Sequence, residues 1–358
     1  MTSLKYLIFK RLIGAYLRVF KIKIIFYLHI LYKVLKLRGI INSEGNVGIM
    51  REEFFKEIKS WMYRNARYID LCLWRYLFED GDRESVLIAL MKYQNDDGGF
   101  GNALEADNWN PNSSPITTQH ALKILQLINF YDMEHKIYKG IWKYLNSEKD
   151  LLEYVWRFTI PSNDNYPHAP WWNYSEEDNK KEYFGITAEL TSFILRFGDR
   201  DSNLYKKALR LADELIKEFT LDRYYGDMGI KGYITLTDTL KELELDKYDY
   251  DELTNILGNK IKSAIQHDIK KWENYGGRPS SYIGSPNDIF YKDNAEIMNK
   301  EIEYLFNTKP ENDVWGITWT WFDNMDKYAR EFYISENWWK GYRVIEIMIL
   351  FKNFNFEI

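Results

Sequence analysis

Cysteine is almost absent from this chain of 358 residues: Cys72 is the only one. A single thiol excludes an intrachain disulfide and the multi-cysteine zinc sites of many intracellular proteins. Histidine is scarce too. The five, at 29, 120, 135, 168 and 267, show no H-x-x-x-H spacing, so no helical zinc pair is encoded. There is no G-x-S-x-G nucleophile, no phosphate loop and no dinucleotide fingerprint. The glycines of YGGRPSSYIGSP (275–286) lack the G-K-[ST] ending of a phosphate cradle. Neither a metal nor a cofactor is therefore expected. Long apolar runs are missing as well. Within residues 4–37 the longest uncharged stretch is Ile24–Tyr32, nine residues, where a membrane span needs about 20. No small-residue cleavage site follows a clean apolar run, which points to a cytoplasmic chain. Strand alternation and two-residue hairpin turns are lacking too, so the expected class is all-α.

What the chain has in excess is aromatic surface. Its 28 Tyr, 20 Phe and 13 Trp make up 17% of residues, enough for a thick core, an aromatic-lined cavity, or both. Charge is divided unevenly. The formal net charge is −5, yet residues 1–50 hold nine Lys/Arg and one acid, Glu44. The remaining acidic body argues against nucleic acid as a partner, which needs a basic face. On a helical wheel Lys10, Arg11, Arg18, Lys21, Lys33 and Lys36 share one side, with Lys5 and Lys23 out of pattern. Residues 1–38 thus read as a basic amphipathic helix. It is suited either to peripheral contact with an anionic membrane surface or to packing on the body. Residues 39–50, rich in Gly, Asn and Ser, read as a linker, and 51–358 as one domain.

That domain reads as about eleven helices separated by long Gly/Pro/aromatic loops. Helices are expected at 52–65, 67–78, 83–93 (capped by Asp82), 118–130 (entered through Ser114 and Pro115), 133–145 and 151–158. Further ones follow at 183–197, 203–219, 233–243, 251–269, 294–306 and 338–351. Loops are expected at 223–232 and 275–289. The acids Asp249, Asp251 and Glu252 read as a helix start.

The organising stretch is Tyr93–Thr118, YQNDDGGFGNALEADNWNPNSSPITT. Gln94, Asp97, Gly98, Gly99 and Phe100 form a Q-x-x-D-G-G-F-G turn. It resembles the repeat of the terpenoid cyclase and protein prenyltransferase superfamily. A weaker echo runs from Asn312–Ile317 to Ser335. The resemblance implies an α/α-toroid, a ring of helical hairpins, in which Gln94, Asp97 and Phe100 are structural. The D-x-D-D acid, the D-D-x-x-D magnesium segment and the zinc ligands of known members are all missing, so their chemistries are not implied.

Chemistry must come from other residues. Glu105 and Asp107 lie close together in the same loop. Two neighbouring carboxyls separate in pKa, one serving as acid and the other as base, with Trp109 beside them. His168, stiffened by Pro167 and Pro170 and followed by Trp171 and Trp172, is a third catalytic candidate. Trp319, Trp321, Asp323, Trp338 and Trp339 form a C-terminal aromatic set, and Asp227 is a further binding candidate. Three readings remain open: a cyclase-like enzyme for an isoprenoid or apolar lipid, a carbohydrate-active hydrolase or lyase, and a non-catalytic scaffold. A closed apolar chamber favours the first, an open polar groove the second.

Overall fold

The computed structural model describes residues 44–153, 155–221 and 225–356. The expected amphipathic helix over 1–38 lies outside the described residues. Those described fall into a short N-terminal unit ending at Phe55 and a large one from Lys56 onward. Among them there are twelve α-helices, six short 3-10 turns and no strand, only isolated bridges. The helices are α1 (Glu44–Asn65), α2 (Tyr68–Phe78), α3 (Arg83–Leu90), α4 (Pro115–Leu127), α5 (Lys136–Ser147) and α6 (Glu176–Asn179). Then come α7 (Phe184–Phe197), α8 (Asn203–Phe219), α9 (Gly226–Glu242), α10 (Tyr250–Ala264), α11 (Tyr291–Thr308) and α12 (Met325–Asn353). No described helix is long and apolar enough to cross a membrane.

Side-chain caps start several of these helices as their residue types require. Asp82 accepts from Ser85 N at 2.7 Å, Ser114 from Thr117 N at 3.2 Å and Asp249 from Glu252 N at 2.9 Å. Pro115 occupies the first turn of α4, where its missing N–H costs nothing. Helices then pair by burial. In α8 Leu204, Ala208, Leu211, Leu215 and Phe219 repeat along one buried face, while Lys206, Arg210 and Glu214 face solvent. Its neighbour α7 is buried almost all round. An inner helix apolar on all sides and an outer one apolar on one face are the two parts of a buried helical hairpin.

Several expected boundaries move, each for a physical reason. Residues 151–158 form a tight loop, not a helix. Their backbone donors are taken by side chains: Trp156 N by Thr187 Oγ1 at 3.0 Å, Phe158 N by Asn179 Oδ1 at 2.6 Å. Residues 226–232 are helix rather than loop. Gly232 lies against Gly185, where a Cβ would stand 2.8 Å from the Gly185 Cα, so these glycines serve close packing of α9 on α7. The last helix starts at Met325, with a kink at Tyr328. Ser335 therefore sits inside α12 rather than before a helix. The linker expectation also shortens, since α1 already begins at Glu44.

The glycine turn is a brace. Gln94 Nε2 donates to the Gly98 and Ile137 carbonyls, both at 2.9 Å, joining the turn to α5. Asp97 accepts from Gly99 N at 3.0 Å and Ser113 Oγ at 2.6 Å, and pairs with Lys149 at 2.6 Å. Phe100 is fully buried. Gly98 has φ +91°, and a Cβ there would stand 2.0 Å from the Gly140 carbonyl oxygen. Gly98→Ala is thus expected to destabilise by more than about 3 kcal/mol, since strain and backbone overlap add. Asp82→Ala, which removes only a cap, should cost about 1 kcal/mol. Urea unfolding of both variants checks the ranking, and equal losses would contradict the brace.

Candidate functional site

After the glycine turn the chain reverses through Asn102 and Ala103, two consecutive non-glycine residues in left-handed backbone (φ 57° and 59°). Such strain persists only where surroundings impose it, and Arg67 does so here. Its Nη1 donates to the Ala103 carbonyl at 2.9 Å and the Leu104 carbonyl at 3.2 Å, while Nε holds Asp70 at 2.7 Å. The next residues, 105–110, are buried apart from a partly exposed Trp109, and Asn102 N closes the loop on the Asn110 carbonyl at 3.0 Å.

Three remote segments grip this loop. Residues 167–169 run antiparallel to it: Ala169 N donates to the Asp107 carbonyl and Trp109 N to the Pro167 carbonyl, each at 2.9 Å. From α12, Ser335 donates to the Ala106 carbonyl at 2.6 Å and accepts from Trp109 Nε1 at 2.9 Å. Trp338 stacks on Trp109 at 5.2 Å between ring centres, with the Arg67 guanidinium 5.3 Å from the Trp338 ring. From the aromatic loop before α12, Trp321 Nε1 donates to Asp107 Oδ1 at 2.7 Å and Trp319 Nε1 to Oδ2 at 2.9 Å. Trp339 packs edge-on against Trp319 at 5.4 Å.

Both carboxyls are buried, and no cation is within ion-pair distance of either among the described residues. Burial raises the pKa of Asp107 to about 6, although the N–H groups of Trp321, Trp319 and Trp339 favour its charged form. Glu105 is pushed well above the usual carboxylate range, first by burial and then by the Asp107 charge. Arg67 and the Trp172 indole offset this in part. Its Oε2 is buried without a hydrogen-bond partner. Asp107 is thus the hydrogen-bonded member of the pair, and Glu105 the one that burial and its neighbour push toward the protonated form.

The candidates separate into groups. Glu105, Asp107, Trp109, Trp172, Trp319, Trp321, Trp338 and Trp339 belong to one neighbourhood. The ring of His168 is engaged within its own loop. Its Nδ1 donates to the Tyr166 carbonyl at 2.6 Å and its Nε2 meets Asn173 Oδ1 at 2.7 Å, so both ring nitrogens brace their own proline loop. Trp171 is exposed, and Asp323 is exposed on the 3-10 turn Phe322–Asn324. The Asp227 side chain lies outside the described residues. No group of three or more metal-ligating side chains occurs among the described residues. Sequence reading missed three members: Arg67, Ser335 and His120. His120 is buried beside Tyr342 at 5.1 Å, and burial lowers its pKa to about 3, so it is neutral. Nothing local marks Arg67 or Ser335. His120 shares a face of α4 with apolar neighbours and reads as core.

Trp319 is also a wall of a chamber of about 620 Å³. The chamber has an apolar part, with Met228, Leu305 and Ile347, and a charged part with Arg278, Arg343 and Glu346. It departs from an aromatic-lined apolar cavity: of the six tryptophans proposed to line one at the C-terminal end and the proline loop, only Trp319 takes part.

Replacing Asp107 tests the carboxylate directly. A raised folded-state pKa means that the native state binds the proton more tightly than the unfolded chain. The stabilisation is complete below the unfolded value near 4 and is lost as pH rises through about 6. Asp107→Asn has no such loss. Its stability relative to wild type should therefore rise between pH 4 and 7, on the order of 3 kcal/mol. It should also start lower, by about 1–3 kcal/mol, because an amide NH₂ faces one indole N–H. Urea unfolding across that pH range measures both, and a constant difference would refute the burial argument.

Compared with protein-family models, with curated proteins and with solved structures, this chain matches none.

Proposed function

We propose that the helical hairpins of the large unit form an α/α-toroid, and that the protein is an acid–base enzyme of the carbohydrate-active kind, a hydrolase or lyase. The observation that carries this reading is the buried, unpartnered Oε2 of Glu105. A structural carboxyl of that kind costs stability and gains nothing, whereas a proton donor needs an oxygen left free and a raised pKa. In this reading Glu105 gives its proton to the leaving oxygen, and the Asp107 charge stabilises the positive charge that develops on the sugar ring. Trp319, whose N–H is held by Asp107, also lines the chamber and carries the aromatic surface on which sugar rings stack. The charged part of the chamber fits a polar substrate better than a hydrocarbon.

The cyclase-like reading retains one specific support. Asp107 has three indoles around it, and their faces stabilise cations. An isoprenoid or similar lipid would use the apolar wall of the chamber. The basic residues 1–38 would suit contact with an anionic membrane surface in either case.

Mass spectrometry of small molecules extracted from the purified full chain separates the two, followed by a panel of glycosides. Oligosaccharide co-purification or glycoside turnover is expected. Glu105→Gln should then lower kcat by about 10²–10⁴-fold, the range of general-acid loss, with KM little changed. A co-purifying isoprenoid, or full turnover in Glu105→Gln, would sink the carbohydrate reading.

A further inference from the structure

The chamber's charged end is built from three elements: the loop carrying Arg278 and Ser280, α11 with Glu301, and α12 with Arg343 and Glu346. Glu301 is fully buried and already committed. Ser280 donates to it twice, from its backbone N at 2.7 Å and its Oγ at 2.6 Å. Among the described residues neither arginine makes an ion pair within 4.0 Å; Glu301 partly shields Arg278, and Glu346 and Glu301 partly shield Arg343. Arg278 spends one N–H on the Trp272 carbonyl. Arg343 makes no hydrogen bond among the described residues, and its Nε is buried without a partner. Lys231 and Lys123 lie on the same chamber wall, Lys123 being paired with Glu189 at 3.2 Å.

Two guanidiniums line one chamber, and Arg343 keeps a buried Nε–H without a partner, a donor open to an anion. Burial and the nearby Arg278 charge depress the pKa of Arg343, while burial raises those of Glu301 and Glu346. An anion would offset the first effect, because it favours the charged guanidinium. Guanidinium forks match the oxygens of a phosphate and hold it with charge-assisted bonds. We propose that Arg278 and Arg343 form a phosphate-binding site within the chamber. It takes either free phosphate or the phosphate ester of a larger ligand whose body lies toward Trp319. This inference takes the chamber as the ligand site but does not depend on the reaction assigned to Glu105.

Isothermal titration calorimetry of the full chain at low salt, with inorganic phosphate, glucose and glucose 6-phosphate, tests it. Inorganic phosphate is expected to saturate one site. Glucose 6-phosphate should bind about tenfold or more tightly than glucose, a gain of about 1.4 kcal/mol. A further gain over inorganic phosphate identifies an ester as the ligand, and equal affinity identifies free phosphate. Arg343→Gln should weaken phosphate binding about tenfold or more, and Arg343→Lys should keep part of it. Arg278→Gln supplies the same test should Arg343→Gln not fold. No saturable phosphate binding in the wild type, or undiminished binding in folded Arg→Gln variants, overturns the site. Glu105→Gln should bind phosphate normally, so loss of the catalytic reading alone leaves this result intact.

Discussion

Asp107 is the point on which distant parts of this chain converge. Its two carboxylate oxygens accept indole N–H groups from Trp319 and Trp321, more than two hundred residues away. Its carbonyl accepts from Ala169. Hydrogen bonds to a charged acceptor contribute about 1.5–3 kcal/mol each where both partners are buried. Two segments that share no local sequence are thereby held against one loop. The choice of indoles as partners has an electrostatic consequence. Neutral donors satisfy the carboxylate's geometry without cancelling its charge, so burial still raises its pKa. An arginine in the same place would have held it ionised. The neighbouring arginine, Arg67, is instead committed to Asp70 and to the backbone of the strained turn.

Charge is accordingly sorted within the fold. Asp107 is surrounded by indole N–H groups, while the Arg67 charge acts on Glu105. Arg278 and Arg343 line the chamber together with Glu346 and with Glu301, which Ser280 holds. Trp319 is bonded to Asp107 through its N–H and also lines the chamber.

The strained turn at Asn102–Ala103 and the glycine brace before it serve the same purpose. Gly98 permits the chain to pass against Gly140, Asp97 and Gln94 tie the turn to neighbouring elements, and Arg67 pulls the following carbonyls inward. The loop that carries Glu105 and Asp107 is therefore positioned from both ends by hydrogen-bonded groups, and Glu105 Oε2 is left without a partner.

How much of this was legible in advance follows from the range of the interactions. Caps, the Gly98 turn, the Gln94 and Asp97 roles and the buried stripe of α8 all depend on residues within a turn or two, and the one-dimensional pattern carries them. The pairing of Glu105 with Asp107 was legible for the same reason, since two positions in a rigid loop cannot move far apart. Where local signals compete with packing they misled. Glycines 226, 229 and 232 read as a loop, yet they lie in a helix, and the missing side chain of Gly232 admits the neighbouring Gly185. Residues 151–158 read as a helix, yet Thr187 and Asn179 take their backbone donors. The sequence by itself thus determined an all-helical class, the braced glycine turn and a candidate carboxyl pair. Only the tertiary structure decided which tryptophans meet Asp107, that His168 braces its own loop, and that the chamber ends in arginines. Those outcomes depend on burial and on contacts between residues far apart in the chain, and neither quantity is a property of any local stretch.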